Sequence, residues 1–283
     1  MKRTHDGILQ FQLKRAIESK SLPYVLVALT LLVTICFVQS CLMFWGHDAG
    51  AMPSAATMWI GNARRSNAEL FSFLAWYLLF PLTSSIVSDS LFVDRARRST
   101  YLIAPRTSRR GYALSGAMTS FAGAFAITLM VFLASQCIAF VAYPDSSAPD
   151  AYFVSLDHAA TNGAGYSALE GQPFSSILFS NRYLYNTIYC FYDALLAGLM
   201  AIISYETSIF VSSSRVAVIG VPTMAFMAVS AILPSSLSPA TSMLPGVGSF
   251  TSLGSLLFAP TAMMLVIAVL LLVSLVTRRD YLL

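Results

Sequence analysis

Residues 89–116, DSLFVDRARRSTYLIAPRTSRRGYALSG, are the long polar interruption in the first half of an otherwise apolar chain. They hold six arginines, Arg95, Arg97, Arg98, Arg106, Arg109 and Arg110, in two clusters separated by Tyr101, Leu102, Ile103 and Pro105. A proline cannot continue a preceding helix but readily begins the next. The pattern predicts two short helices at a membrane surface, the second carrying Arg106, Arg109 and Arg110 on one face at i, i+3 and i+4. Two readings stay open at this point. The arginines either hold a loop on the cytoplasmic side of a membrane, or they form a docking surface for a cytoplasmic partner.

Composition sets the class. The 283 residues are 57% hydrophobic and 11% charged, against roughly 25% charge in soluble domains. The chain is expected to be an all-α integral membrane protein, with room for about six spanning helices of roughly 20 residues each. Little remains for a soluble domain, so residues 1–283 read as one transmembrane domain.

Residues 1–20 are basic and place Leu9, Leu13, Ala16 and Ile17 at helical spacing, which predicts an amphipathic helix on the inner leaflet. The expected spans are 22–45, 69–93, 113–142, 183–211, 215–233 and 255–277. The first is too long for a signal-peptide core and is read as a retained anchor. Residues 46–67 form a Gly/Ala/Pro/Ser-rich loop and 143–181 the longest polar loop. Gly116, Ser120 and Gly123 would let a neighbouring helix approach the third span closely. The uncharged stretch 234–254, broken by Pro234, Pro239, Pro245, Gly246 and Gly248, fits a re-entrant or interfacial segment.

With the N-terminus inside, fourteen of the seventeen lysines and arginines fall on the inner side, leaving Arg64, Arg65 and Arg182 outside. That asymmetry predicts that both termini are cytoplasmic.

Several chemistries are excluded or unsupported. Lys20 is the last lysine, and no GxxxxGK[ST] motif occurs, so the chain does not hydrolyse nucleotide by the P-loop route. His5, His47 and His158 are far apart and lie in no HExxH pattern, which leaves no metal site in view. Asp157 and His158 are adjacent, but with serine so abundant they specify no triad. Cys36, Cys41, Cys137 and Cys190 all fall in predicted spans, as small core residues or as a bonded outer pair.

A buried ionisable group costs several kcal/mol unless it is paired or wet. Asp193 lies about ten residues into the fourth span, roughly 15 Å along it and near the bilayer midplane. It follows a run of tyrosines, Tyr183, Tyr185, Tyr189 and Tyr192. Tyr189, Tyr192 and Asp193 form a candidate substrate path; the alternative is a structural carboxylate hydrogen-bonded to a neighbouring helix. Asp89 and Glu206 lie near inner ends, where arginines are expected to meet them.

This joint pattern resembles the membrane-spanning subunits of ABC-2 type transporters, with their N-terminal amphipathic helix and six spans in a type V exporter-like architecture. The most telling local match is Asp94-Arg95 through Ser99-Thr100, then Leu102-Ile103, Pro105 and Arg109-Arg110. In that family a similar sequence forms the coupling helix that seats in a groove of the ATPase subunit. The ending Arg278-Arg279-Asp280-Tyr281-Leu282 is also similar to a common family ending. The chain departs from the pattern in having Ser99 where glycine is frequent, and in lacking the lysine that often opens the third span.

The resemblance implies a permease, not an enzyme, in the plasma membrane of a prokaryote. It implies docking of a cytoplasmic ABC ATPase through Asp94, Arg95, Arg97, Arg98, Thr100, Leu102, Ile103 and Pro105. It also implies pairing with a second permease subunit, identical or paralogous, in the lipid bilayer. No cofactor is expected to bind directly: ATP-Mg would act through the partner subunit, and no nucleic acid is involved. The implied cargo is an exported amphiphilic, drug-like or peptide molecule. The rival classes are an ion-coupled secondary transporter and a non-transporting membrane scaffold.

Overall fold

Apolar runs of this length can satisfy their backbone in a bilayer only as helices or a closed barrel. The computed structural model is helical, with no strand among the residues it describes, which are 2–48, 52–61, 69–86, 88, 90, 93, 109–145, 173–211, 214–243 and 252–276. The elements are α1 (Lys2–Ile17), α2 (Ser21–Met43), α3 (Glu69–Ser84), α4 (Arg109–Ala142) and α5 (Ser175–Ser180). They continue with α6 (Arg182–Phe210), α7 (Arg215–Ile232), α8 (Pro239–Ser242) and α9 (Leu253–Val276).

Five of these, α2, α4, α6, α7 and α9, are long and apolar enough to cross a membrane. The span expected over 69–93 is described as the 16-residue α3, with Pro81 inside it. At 1.5 Å per residue α3 is about 24 Å long, short of the roughly 30 Å hydrocarbon core. Beyond it only scattered residues as far as Val93 are described. The arginine-rich segment 94–108, with all the expected docking residues, lies outside the described residues. So do Asp89, residues 146–172 with Asp157 and His158, and residues 277–283.

Side chains are sorted in the sense expected of a bilayer protein. Leu31 and Leu42 on α2, Met130 and Val141 on α4, Met224 and Ile232 on α7, and Leu265 and Leu272 on α9 point outward and are exposed. Inside lie Thr119, Ser120, Thr128, Asp193, Ser204 and Glu206. In water this distribution would be costly; in lipid the outer surface needs no polar cover and polar groups belong within. Many hydroxyls on the long helices are satisfied locally. Thr83, Thr119, Thr207, Thr223 and Thr261 each donate to the carbonyl four residues back, at 2.7 to 2.9 Å. The chain is thus a membrane-embedded helical protein.

Hydrogen bonds between distant segments fix the directions of the helices. At one end, Ser19 Oγ donates to the Ile86 carbonyl at 3.2 Å. There too Arg215 Nη2 donates to Ser21 Oγ at 3.4 Å. At the other, the Ala55 N–H donates to the Pro144 carbonyl at 3.0 Å, and Arg182 Nη1 donates to Ser54 Oγ at 3.2 Å. Consecutive long helices therefore cross the bundle in opposite directions. The central one is α6, which packs on α3, α4, α5, α7 and α9, most extensively on α4. Helix α1 lies against α4.

The α4–α6 contact is close because glycines sit on both sides of it. A Cβ on Gly116 of α4 would collide with the ring and hydroxyl of Tyr205, and one on Gly198 of α6 would come within 2.6 Å of the Phe121 ring. Gly116 was expected to admit a neighbour, and it does. Its counterpart Gly198 carried no such expectation.

None of the four cysteines is in a disulfide. Cys36 and Cys190 are core residues, but Cys137 is exposed, because it lies on the outward face of α4. The amphipathic stretch expected over 1–20 contains the helix α1. Gln12 is wholly buried while Phe11, Leu13 and Ile17 remain exposed, Ile17 by 73%.

Because Phe121 is a rigid ring rather than a flexible tip, Gly198→Leu should destabilise the protein in detergent by about 1–3 kcal/mol through overpacking. Gly220, where a Cβ meets nothing within 4 Å, is the control: Gly220→Ala should change stability by less than about 1 kcal/mol. Thermal unfolding of the two purified variants checks this.

Candidate functional site

Helix α6 starts cleanly because Asn181 caps it, its side-chain oxygen accepting the Leu184 N–H at 3.0 Å. The first two turns then make a polar clamp. Arg182 is nearly buried and donates to Ser54 Oγ, which itself lies 3.1 Å from Thr57 Oγ1. One turn further on, Asn186 donates from Nδ2 to the Ala56 carbonyl at 2.9 Å and to Gln136 Oε1 of α4 at 2.8 Å. Gln136 Nε2 completes the clamp by donating to the Ala55 carbonyl at 3.0 Å. Residues 52–61, expected as part of the 46–67 loop, are folded into this end of the bundle. Ser54, Ala55, Thr57 and Trp59 are all buried. An irregular backbone segment survives inside an apolar bundle only if side chains take up its amide groups, and Asn186 and Gln136 do so.

Below the clamp comes the tyrosine run. Tyr185 and Tyr189 have ring centroids 4.9 Å apart, and Tyr189 and Tyr192 6.3 Å apart. The Tyr192 hydroxyl donates to the Leu256 carbonyl of α9 at 2.8 Å and lies 2.9 Å from Ser242 Oγ. Ser242 ends the one-turn helix α8, which folds back on α7: Ser238 Oγ donates to the Ser230 carbonyl at 2.9 Å, and the Ala240 N–H donates to Ser230 Oγ at 3.2 Å. The broken stretch after α7 thus enters the bundle as far as Tyr192, with Pro239 and Ser242 buried.

Asp193 follows directly. It is wholly buried, and neither carboxyl oxygen has a hydrogen-bond partner among the described residues. Its electrostatic neighbours are Tyr189, Cys190 and Tyr192. The hydrogen-bonded structural carboxylate expected as the alternative is therefore not what the described residues present. Nor does Asp193 line an open channel. Tyr189, Tyr192 and Asp193 are brought together as anticipated, but behind closed packing.

Glu206, expected near the inner end to meet arginines at the surface, is wholly buried and has no hydrogen-bond partner among the described residues, which do not include Arg95, Arg97, Arg98 or Arg106. The reason is the all-round covering of α6, on which Tyr205 and Ser208 beside it are buried too. No cluster of three His, Cys, Asp or Glu that could hold a metal occurs among the described residues.

Sequence reasoning missed the clamp. Arg182 was assigned to the outer loop, and Ser54, Gln136 and Asn186 drew no attention. The signal was present in Arg182 and Asn186, two strongly polar residues one helical turn apart at the mouth of a span.

Comparison with protein-family models, with curated proteins and with solved structures finds no match to this chain.

Replacing Asn186 with leucine strands the Ala56 carbonyl and Gln136 Oε1, each at a cost of about 1–3 kcal/mol. In a background free of the four native cysteines, a cysteine at buried Ala55 should then react with an impermeant maleimide about tenfold faster or more, since about 1.4 kcal/mol of local opening is a factor of ten. Equal rates with and without Asn186→Leu would show that the clamp does not hold the loop.

Proposed function

We propose that the chain is the membrane-spanning subunit of an exporter driven by a separate ATPase, with six spans, cytoplasmic termini and a second permease subunit beside it. The observation that best supports this reading is the arrangement at the basic end of the bundle. The arginine-rich segment is bounded by α3 on one side and α4 on the other, and both pack on the central helix α6. Near its start α4 meets α6 through Gly116 and Tyr205 without room for a methyl group. A pull on residues 94–105 by a closing ATPase pair would pass through that contact with little slack, because close-packed interiors transmit strain rather than absorb it. It would reach Tyr189, Tyr192 and Asp193 along one continuous helix. The absence of a nucleotide motif in the sequence agrees with a separate motor.

In this scheme the site is occluded at rest. Tyr192 holds α6 to α8 and α9 through Ser242 and Leu256. Opening the path requires that junction to part, exposing tyrosine rings and one carboxyl. Such a surface suits an amphiphilic, drug-like or peptide cargo: the rings take apolar area and the carboxyl a cationic or hydrogen-bonding group.

A second reading has an observation of its own. Asp193 and Glu206 are two wholly buried carboxyls on one helix with no partner among the described residues. Intramembrane carboxyls of this kind mark proton relays in ion-coupled carriers, and that class remains the rival.

Charge reversal at both Arg97 and Arg98 should abolish ATP-dependent export from inverted vesicles while leaving the protein inserted at wild-type level. Undiminished export by that variant would remove the docking role. Asp193→Asn separates the two readings: an ATP-driven exporter should keep its ATP dependence with altered cargo preference, whereas a proton-coupled carrier should lose response to a pH gradient.

A further inference from the structure

At the basic end of the bundle, a half-open cavity of about 560 Å³ lies between the end of α1, the α1–α2 turn, the chain that follows α3, and the first residue of α7. Four cations, Lys14, Arg15, Lys20 and Arg215, line it against one carboxylate among the described residues, Glu18. Glu18 is engaged with Lys14 at 3.7 Å. Three of these cations come from the local basic run 14–20, and the fold adds Arg215 from nearly 200 positions away. Hydroxyl groups complete the wall. Ser19 Oγ bridges to the Ile86 carbonyl, Arg215 reaches Ser21 Oγ, and Ser90 faces the same space.

Phe11 gives the cavity an apolar rim: it lines the cavity and is 50% exposed, while Ile17 and Tyr24, just outside the lining run 18–21 in sequence, are 73% and 76% exposed. A cation-lined cup beside exposed apolar side chains, at the point where a surface helix turns into a spanning one, matches an amphiphile with a phosphate head. A soluble anion would need the cations and hydroxyls but not the rim.

From this geometry we infer that the cavity is a binding site for the phosphate headgroup of an anionic membrane phospholipid, whose acyl chains lie against Phe11, Ile17 and Tyr24. Lys20 and Arg215 both line the cavity, where Arg215 already reaches Ser21 beside Lys20, and a lipid held there ties α1 and α7 to the start of α2. The site stands whichever energy source drives the protein.

The test uses the full-length chain purified in mild detergent and returned to nanodiscs of phosphatidylcholine containing a small fraction of phosphatidylglycerol. Native mass spectrometry should find one phosphatidylglycerol retained per chain. The double variant Lys20→Gln with Arg215→Gln should retain it about thirtyfold less tightly, as expected for two juxtamembrane cations. Arg278→Gln with Arg279→Gln removes the same charge from a distant part of the sequence and should leave retention unchanged. Equal loss in both double variants would reduce the site to diffuse charge and overturn the proposal, as would equal retention in both. Wild-type protein gives a second readout that needs no variant. Dihexanoylphosphatidylglycerol should raise the unfolding temperature, while dihexanoylphosphatidylcholine and inorganic phosphate at the same concentration should not. An equal rise with inorganic phosphate would assign the cavity to a soluble anion instead of a lipid.

Discussion

The burial of α6 on nearly every side is the constraint from which the rest of the structure follows. A spanning helix in contact with lipid can be apolar throughout; one enclosed by five others must fit their surfaces and find places for its own polar groups. Gly198 and Gly116 meet the first demand by letting α4 and α6 approach until Phe121 and Tyr205 touch backbone. Asn186 and Arg182 meet the second by taking up the backbone and hydroxyl groups of residues 54–57. Asp193 and Glu206 are the two places where no described partner has been supplied. In a low-dielectric interior an unmet carboxyl is costly.

The two ends of the bundle are built differently. At the clamp end, hydrogen bonds join the irregular segment 52–61, α4 and α6 into one unit, and the Phe44 and Tyr143 rings, 6.3 Å apart, pack edge to face beside it. At the basic end a cavity lies among Lys14, Arg15, Lys20 and Arg215. On the proposed reading as a transporter, one end must hold while the other yields, and the polar clamp is suited to holding.

Much of the fold was legible because its signal is one-dimensional. Runs of apolar residues long enough to cross a bilayer mark α2, α6, α7 and α9 to within about two residues, and α4 opens at Arg109 rather than at 113. The break after α7 was marked by Pro234, just past the end of α7, and by Pro239, which opens the one-turn α8. What was not legible depends on neighbours that periodicity does not reveal. The burial of residues 52–61 rests on donors 81 to 130 positions away, at Gln136, Arg182 and Asn186. The burial of Glu206 depends on how many helices surround α6, which no local pattern encodes. At the candidate site the grouping of Tyr189, Tyr192 and Asp193 was legible from a single helix. The bonds that close it, from Tyr192 to Leu256 and Ser242, join segments 50 and 64 residues apart.

The central claim is that this membrane bundle is driven by a separate nucleotide-hydrolysing subunit docked at its basic end. The most direct measurement is to purify the tagged chain from its native host in mild detergent and identify what accompanies it. The account predicts a stoichiometric soluble ATPase with a P-loop, whose hydrolysis changes when it is bound to the membrane chain. A chain that purifies without any nucleotide-binding partner, in membranes that respond to a proton gradient but not to ATP, would contradict it.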